Sequence, residues 1–160
     1  MKLNNIMHIS FYTDQMDEMI KFYTDGLGGK IKVLTRYAVY ANRDDRPYFQ
    51  KIALEDPQRI FSVYIELAPG QFIELFPNNP GQTRNEAEWN TQLGYSHFAL
   101  TVDDIFEAKK ELDEKGIHPF TEPSKGPSET WQCWYNDPDG NKFEMMQYTE
   151  KSYQIVGHID

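Results

Sequence analysis

The sequence predicts an α+β domain built from two copies of one βαβββ module, and three observations predict it. A strand–helix–strand–strand–strand order is legible twice along the 160 residues. The copies come into register when His8 is set against His97, an offset of 97 − 8 = 89 residues. Each copy also carries one histidine in its first strand and one glutamate in its last. Solenoids need at least about three stacked repeats to bury a common core, so two copies fit a pair of modules in one domain instead.

Module one spans 4–77. In its first strand, Met7, Ile9 and Phe11 alternate with His8, Ser10 and Tyr12, so the two sets face opposite sides. Thr13 and Asp14 are expected to cap a helix in which Met16, Met19, Ile20 and Tyr23 share one stripe. Gly26, Gly28 and Gly29 are expected to end it, because glycine accepts the positive φ of a C-terminal cap. Lys30–Leu34 resumes as a strand. Residues 41–59 form a polar, proline-broken excursion in which Pro47–Glu55 reads as a short helix with proline at its start. Ile60–Leu67 and Gln71–Phe76 are strands joined by the turn Ala68-Pro69-Gly70.

A linker at 78–93 leads to module two at 94–148. Gly94–Val102 reads as a strand. Asp103-Asp104 offers a cap for a helix with Ile105, Ala108 and Leu112, ended by Gly116. Three extended segments follow, at His118–Glu122, Thr130–Asn136 and Lys142–Tyr148, and Asp137-Pro138-Asp139-Gly140 is a turn that sets the register of the last. The tail 149–160 lacks a period and reads as a peripheral arm.

Composition narrows the function classes. Twenty-five acidic against sixteen basic residues give a formal charge of −9, which repels phosphate backbones and anionic headgroups, so neither nucleic acid nor membrane is an expected partner. No apolar run approaches the roughly 20 residues of a bilayer span, and no unbroken signal-peptide core precedes Asp14, so the expected location is the cytoplasm. The single cysteine, Cys133, excludes an internal disulfide framework and a cysteine-based zinc site; with no nucleophile motif beside it, it reads as a buried, inert thiol. His118 and His158 read as surface residues.

Four side chains stand out. His8 lies between Met7 and Ile9, His97 between Ser96 and Phe98, Glu74 between Ile73 and Leu75, and Glu144 between Phe143 and Met145. Apolar neighbours predict central strands, where a lone carboxylate costs several kcal/mol unless it is paired or metal-bound. One strand histidine by itself reads as a hydrogen-bonded structural residue. The repetition of the same His and Glu in both modules points instead to a shared role. Two imidazoles and two carboxylates suit one divalent ion: nickel, zinc, cobalt, manganese or iron(II).

The segments Ile20-Lys21-Phe22-Tyr23-Thr24-Asp25-Gly26-Leu27-Gly28, Gly94-Tyr95-Ser96-His97-Phe98-Ala99-Leu100 and Asn136-Asp137-Pro138-Asp139-Gly140-Asn141-Lys142-Phe143-Glu144 resemble the vicinal oxygen chelate superfamily, which contains glyoxalase I, extradiol dioxygenases and bleomycin resistance proteins. Phe72-Ile73-Glu74-Leu75, Tyr95-Ser96-His97 and Lys125-Gly126 resemble the bacterial glyoxalase I (lactoylglutathione lyase) group in particular. The excursion and the tail depart from that group. The resemblance implies βαβββ modules forming a curled mixed β-sheet cup with helices outside, around a metal held by His8, Glu74, His97 and Glu144, in a homodimer. It also implies a metal-dependent lyase or isomerase that turns the hemithioacetal of a 2-oxoaldehyde into a 2-hydroxyacyl thioester. Proton transfer would run through an enediolate, with Glu144 as the catalytic carboxylate and Glu74 as a second one.

Strand alternation nominates Tyr12, Phe72, Phe76, Thr101, Met146 and Tyr148 as walls of a pocket for a small-molecule substrate. Arg36, Arg43, Arg46 and Lys125 are the cations available for an anionic thiol cosubstrate, although nothing in their spacing makes them converge. Two other readings stand beside the lyase. An extradiol iron dioxygenase uses two histidines and one carboxylate, which leaves Glu74 over. A drug-binding module of the resistance type sequesters its ligand without metal chemistry.

Overall fold

A computed structural model of the chain describes residues 1, 4–83 and 94–159; the expected linker falls outside the described residues from position 84 onward. The chain divides into two compact units, Met1–Thr83 and Arg84–Asp160. Each carries one four-stranded mixed sheet and its helices, an α+β arrangement.

In the first unit, β1 (His8–Thr13) leads into α1 (Met16–Lys21), which widens into a π turn over Phe22–Gly26. Then come β2 (Lys30–Arg36), a 3-10 turn at Tyr37–Tyr40, α2 (Pro47–Glu55), β3 (Ile60–Ala68) and β4 (Gln71–Pro77). The strand order is β1-β4-β3-β2; β1 runs parallel to β4 and the other pairs are antiparallel. Val63, Ile65, Ile73 and Leu75 are buried along β3 and β4, and α1 packs on β4 with Met19 and Tyr23 fully buried. The period of two then sends Tyr64 and Glu74 to the opposite face.

The excursion folds as α2 on the 3-10 turn, with Pro47 opening the helix as expected. It is held to the sheet by rings: Tyr40 and Phe61 have centroids 4.9 Å apart, Phe49 and Phe61 5.5 Å, and Phe61 meets Phe76 of β4 at 5.7 Å.

The second unit runs β5 (Phe98–Thr101), α3 (Ile105–Glu114), β6 (Ser124–Lys125), β7 (Trp131–Asn136), β8 (Lys142–Gln147) and α4 (Tyr153–Val156). Its order, β5-β8-β7-β6, repeats the first, again with the outer pair β5·β8 parallel. Asp104 caps α3 by accepting from the backbone N–H of Phe106 and Glu107. The core stacks Phe98 and Tyr135 on Phe143, each at 5.4 Å, with Ile105, Leu112 and Cys133 buried around it. The carboxylate of buried Asp137 accepts from the N–H of Asp139 and Asn141 and so fixes the turn before β8.

Several expectations need correction. Gln15, and not Thr13 or Asp14, occupies the cap position of α1, and Thr13 accepts from the Gln15 N–H at 3.0 Å. The strand expected at His118–Glu122 forms as the two-residue β6 further on. Pro119 has no N–H to give a ladder, and Thr121 Oγ1, not a carbonyl, takes the Trp134 N–H. β1, which bears His8, is an edge strand and not a central one, as is β5, which begins at Phe98 and leaves His97 one residue outside it. Apolar neighbours report burial of a face and say nothing of pairing along the strand's other side. In the tail, Ser152 is fully buried, and the Thr130 hydroxyl bonds to it at 2.9 Å.

Candidate metal centre

Each unit brings one histidine to one buried glutamate. In the first unit, His8 stands at the start of edge strand β1 and Glu74 on neighbouring β4, so His8 Nε2 lies 3.4 Å from Glu74 Oε2. In the second, His97 Nε2 lies 3.6 Å from Glu144 Oε2 of β8. The glutamates are 6 % and 8 % exposed. The imidazoles are the solvent-reachable halves, at 37 % and 34 % side-chain exposure.

These separations carry chemical information. A charge-assisted N–H···O⁻ hydrogen bond closes to about 2.7–2.9 Å, so neither pair is bonded directly. Two donors on one ion at about 2.0–2.2 Å, subtending a right to tetrahedral angle, lie about 3.0–3.5 Å apart, close to what both pairs adopt. The remaining ring nitrogens are engaged: His97 Nδ1 meets Ser96 Oγ at 3.0 Å and His8 Nδ1 meets Met7 Sδ at 2.9 Å. The residues of each pair therefore fit two ligands of a divalent metal. Among the described residues, no three His, Cys, Asp or Glu side chains are gathered as an ion site, so the structure brings the four nominated ligands together only as two pairs.

The two carboxylates have different neighbours. Burial pushes the Glu144 carboxyl above the usual carboxylate range, and the His97 charge pulls it partly back. Beside Glu74 stands Tyr64, opposite it in the β3·β4 register. A hydrogen bond from the Tyr64 hydroxyl to Glu74, with burial second, pushes that phenol up to about 12. The equivalent place beside Glu144 belongs to Trp134. Both rings meet their unit's histidine edge-on, at 5.7 Å for His8–Tyr64 and 4.7 Å for His97–Trp134. Neither residue is among the pocket walls that alternation nominates, yet the spacing pairs them: 74 − 64 and 144 − 134 both equal 10.

The nominated pocket residues fall three to each unit. Tyr12 lies against Phe76, with centroids 5.9 Å apart, and Phe72 against Tyr64 at 6.0 Å. Thr101 pairs with Met146 in the β5·β8 register, and Thr101 and Tyr148 line a small open cavity with Val102, Asp103 and Gln147. The candidate cations are engaged locally. Arg43 forks onto Asp45 at 2.7 and 2.8 Å, Arg46 reaches the same carboxylate at 3.7 Å, Lys125 pairs with Glu129, and Arg36 donates to the Gln58 carbonyl. Cys133 is buried, its thiol pushed up by desolvation, which fits an inert role. His118 is exposed and pairs with Asp113 at 2.8 Å, while His158 stacks on Tyr153 at 4.0 Å.

Duplicated mixed sheets, each with a His–Glu pair, define a paired-module α+β protein. The chain belongs to the Glyoxalase/Bleomycin resistance protein/Dioxygenase superfamily, whose pattern matches residues 5–145. Among similar proteins, a probable lactoylglutathione lyase of Vibrio parahaemolyticus is 26% identical over 159 residues, covering 98% of this chain and 100% of that one. A probable chloroplastic lactoylglutathione lyase of Arabidopsis thaliana is 25% identical over 146 residues, covering 89% of this chain; the chain spans only 35% of that longer relative. Among solved structures, a glyoxalase family protein from Enterococcus faecalis superposes with a TM-score of 0.65 at 22% identity, over 89% of this chain and 96% of that one. No helix among the described residues is long and apolar enough to cross a membrane.

Proposed function

We propose that the protein is a metal-dependent lyase of the glyoxalase I type, in which His8, Glu74, His97 and Glu144 hold one divalent ion and the substrate is the hemithioacetal of a small 2-oxoaldehyde. The observation that carries this reading is the duplication: each unit sets a histidine Nε2 3.4–3.6 Å from a buried glutamate, with the other ring nitrogen occupied. The names of the two relatives support the activity.

A divalent ion bound there supplies Lewis acidity that makes a C–H beside a carbonyl easier to deprotonate. Glu144 takes that proton on a carboxylate oxygen and returns it to the adjacent carbon, while the hydroxyl proton passes to the neighbouring carbonyl oxygen, so the atoms balance as an isomerisation to a 2-hydroxyacyl thioester. Its desolvated setting strengthens it as a base for this task. Glu74, also buried, lies opposite Tyr64 in the β3·β4 register. The aromatic pairs Tyr12–Phe76 and Phe72–Tyr64 supply apolar surface on the face that bears His8 and Glu74.

Metal analysis of the purified protein, followed by a hemithioacetal isomerisation assay, tests the reading. About one nickel, cobalt or zinc per chain with turnover is expected. The Glu144→Gln variant should lose about 100- to 10,000-fold in turnover per bound ion, the usual worth of a general base. No metal after reloading the apoprotein, or ligand binding that survives Glu144→Gln without any turnover in the parent protein, would overturn it in favour of a sequestering module. Iron with ring-opening of an aromatic diol would transfer it to the dioxygenases.

A further inference from the structure

Along their last two strands the units match position for position, and they part at one corner. The glutamates are offset by 144 − 74 = 70, and the same step sets Phe76 against Met146 and Phe61 against Trp131. There the second unit runs in step: Ser124 pairs with Gln132 and Lys125 with Trp131, whose ring packs on Phe106 of α3 at 5.3 Å. In the first unit the β2·β3 register goes from Thr35↔Ser62 to Arg36↔Ile60, which leaves Phe61 as the extra residue of a bulge. A bulge re-aims the side chain it carries. By alternation Phe61 would share the face of Val63 and Ile65. Its ring instead meets Phe76, two residues from Glu74 on the face of Glu74, at 5.7 Å. The 41–59 segment seats on the re-aimed ring: Tyr40 lies 4.9 Å and Phe49 of α2 5.5 Å from Phe61. Beyond Phe76 the row continues to Tyr12, its partner in the β1·β4 register, at 5.9 Å. The matching pair of the second unit, Thr101 and Met146, carries no ring. Phe61 and Phe76 are half-buried and Tyr12 is 55 % exposed, so the row keeps solvent-reachable ring surface beside the carboxylate.

We propose that this row is the subsite for the substituent of the 2-oxoaldehyde and makes the protein prefer an aryl substituent to a methyl one. Phe76 and Tyr12 touch the substituent, and Phe61 is the positioning residue through which the 41–59 segment holds Phe76. The inference rests on the lyase reading given above and names its substrate class. Its physical basis is the chemistry of the surface. Rings packed edge to face offer an incoming ring the same contact, worth about 2- to 10-fold per pair beyond the area buried. A single methylene in an apolar pocket already discriminates about 10- to 200-fold, and a phenyl group covers far more of such a row than a methyl group does.

The test compares kcat/KM for the glutathione hemithioacetals of phenylglyoxal and methylglyoxal, using the metal-loaded full chain, in the parent protein and in Phe61→Leu, Phe76→Leu and Tyr12→Leu. The thiol is common to both substrates, so the ratio reports the substituent alone. The parent should favour the phenyl substrate about 10-fold or more, and each variant should lower that ratio, Phe61→Leu through a raised KM for the phenyl substrate. A purely structural role would lower both substrates together and leave the ratio in place. Tyr12 is exposed, so Tyr12→Leu decides the matter even if the two phenylalanine variants fail to fold. Saturation-transfer NMR of mandelate, the acid of the aryl product, on the zinc-loaded protein should show its ring protons in contact with the parent and that contact reduced in Tyr12→Leu. A parent that turns over both substrates with a ratio near one overturns the subsite and leaves the lyase reading standing. An unchanged ratio in Tyr12→Leu, or equal saturation of mandelate in parent and variant, does the same. A parent that turns over neither substrate overturns the lyase reading and this inference with it.

Discussion

Gly29 shows at single-residue scale how closely the first unit is packed behind the sheet that carries Glu74. A Cβ there would stand 2.6 Å from the Tyr23 carbonyl oxygen, 2.7 Å from Ile65 Cγ2 and 2.9 Å from Leu67 Cδ2. The same carbonyl accepts the Gly29 N–H at 2.9 Å, so the backbone cannot retreat without losing that bond. Gly28, by contrast, has φ +77° and open space where its Cβ would be. The glycines expected to end α1 by positive φ thus do different work: Gly28 alone of the three takes the left-handed conformation, while Gly29 makes room for the π turn against β3. Gly29→Ala should cost about 1–3 kcal/mol through overpacking. With about 2–4 °C lost per kcal/mol in a chain of this size, thermal melting followed by far-ultraviolet circular dichroism should fall by several degrees. A melting temperature within a degree of the parent's would show that the turn relaxes freely.

At the scale of elements, α3 tests electrostatics away from the two His–Glu pairs. Lys109 donates to Asp113 at 2.7 Å and His118 approaches the same carboxylate at 2.8 Å. The Lys109 hydrogen bond first, and His118 second, hold the Asp113 carboxyl below its ordinary value. A carboxylate with a depressed folded-state pKa stabilises the fold above its unfolded pKa, near 3.8 here, and that contribution disappears as pH falls through the lower folded value. Asp113→Asn should therefore melt below the parent at pH 6, and the difference should close towards pH 2–3; a gap independent of pH would refute the ion-pair account. Sequence made the helices with local signals legible: Pro47 at the head of α2 and Asp104 as the cap of α3 both act through neighbours three or fewer residues away. It also made both buried glutamates legible, because alternation against Ile73, Leu75, Phe143 and Met145 fixes a face. What it could not convey depends on partners distant in the chain. Thr13 has a competing local bond to Gln15, the His118–Glu122 segment bonds to β7 too sparsely to form a ladder, and Ser152 is tied to Thr130, 22 residues before it. Edge or central placement of a strand is likewise decided by pairing, which hydropathy does not encode.

For the molecule as a whole, the two units repeat each other with one interruption. The histidines are offset by 89 residues and the glutamates by 144 − 74 = 70, and the difference, 19, equals the length of the 41–59 excursion. The first unit has therefore taken α2 and its turn into a loop of the module without disturbing the sheet that carries Glu74. With two donors per unit, the whole chain offers two stoichiometries. Four donors sharing an ion give one metal per chain, whether the two pairs meet within one chain or between copies. Two independent His–Glu sites give two. Sharing has a thermodynamic consequence, because an ion that binds only the native state adds RT ln(1 + [L]/Kd) to its stability, about 2.7 kcal/mol at 100 Kd, or about 5–10 °C in melting temperature. If the ion is shared, Glu74→Gln in the first unit should remove most of the metal-induced stabilisation of the second unit as well. Scanning calorimetry with and without zinc or nickel, with metal counted per chain, should show one equivalent, a melting transition raised as a whole, and near-complete loss of that rise in Glu74→Gln. Two equivalents, with half of the rise surviving in the variant, would instead make each His–Glu pair a site of its own, and the duplication would then reflect two weak metal sites and not one four-donor centre.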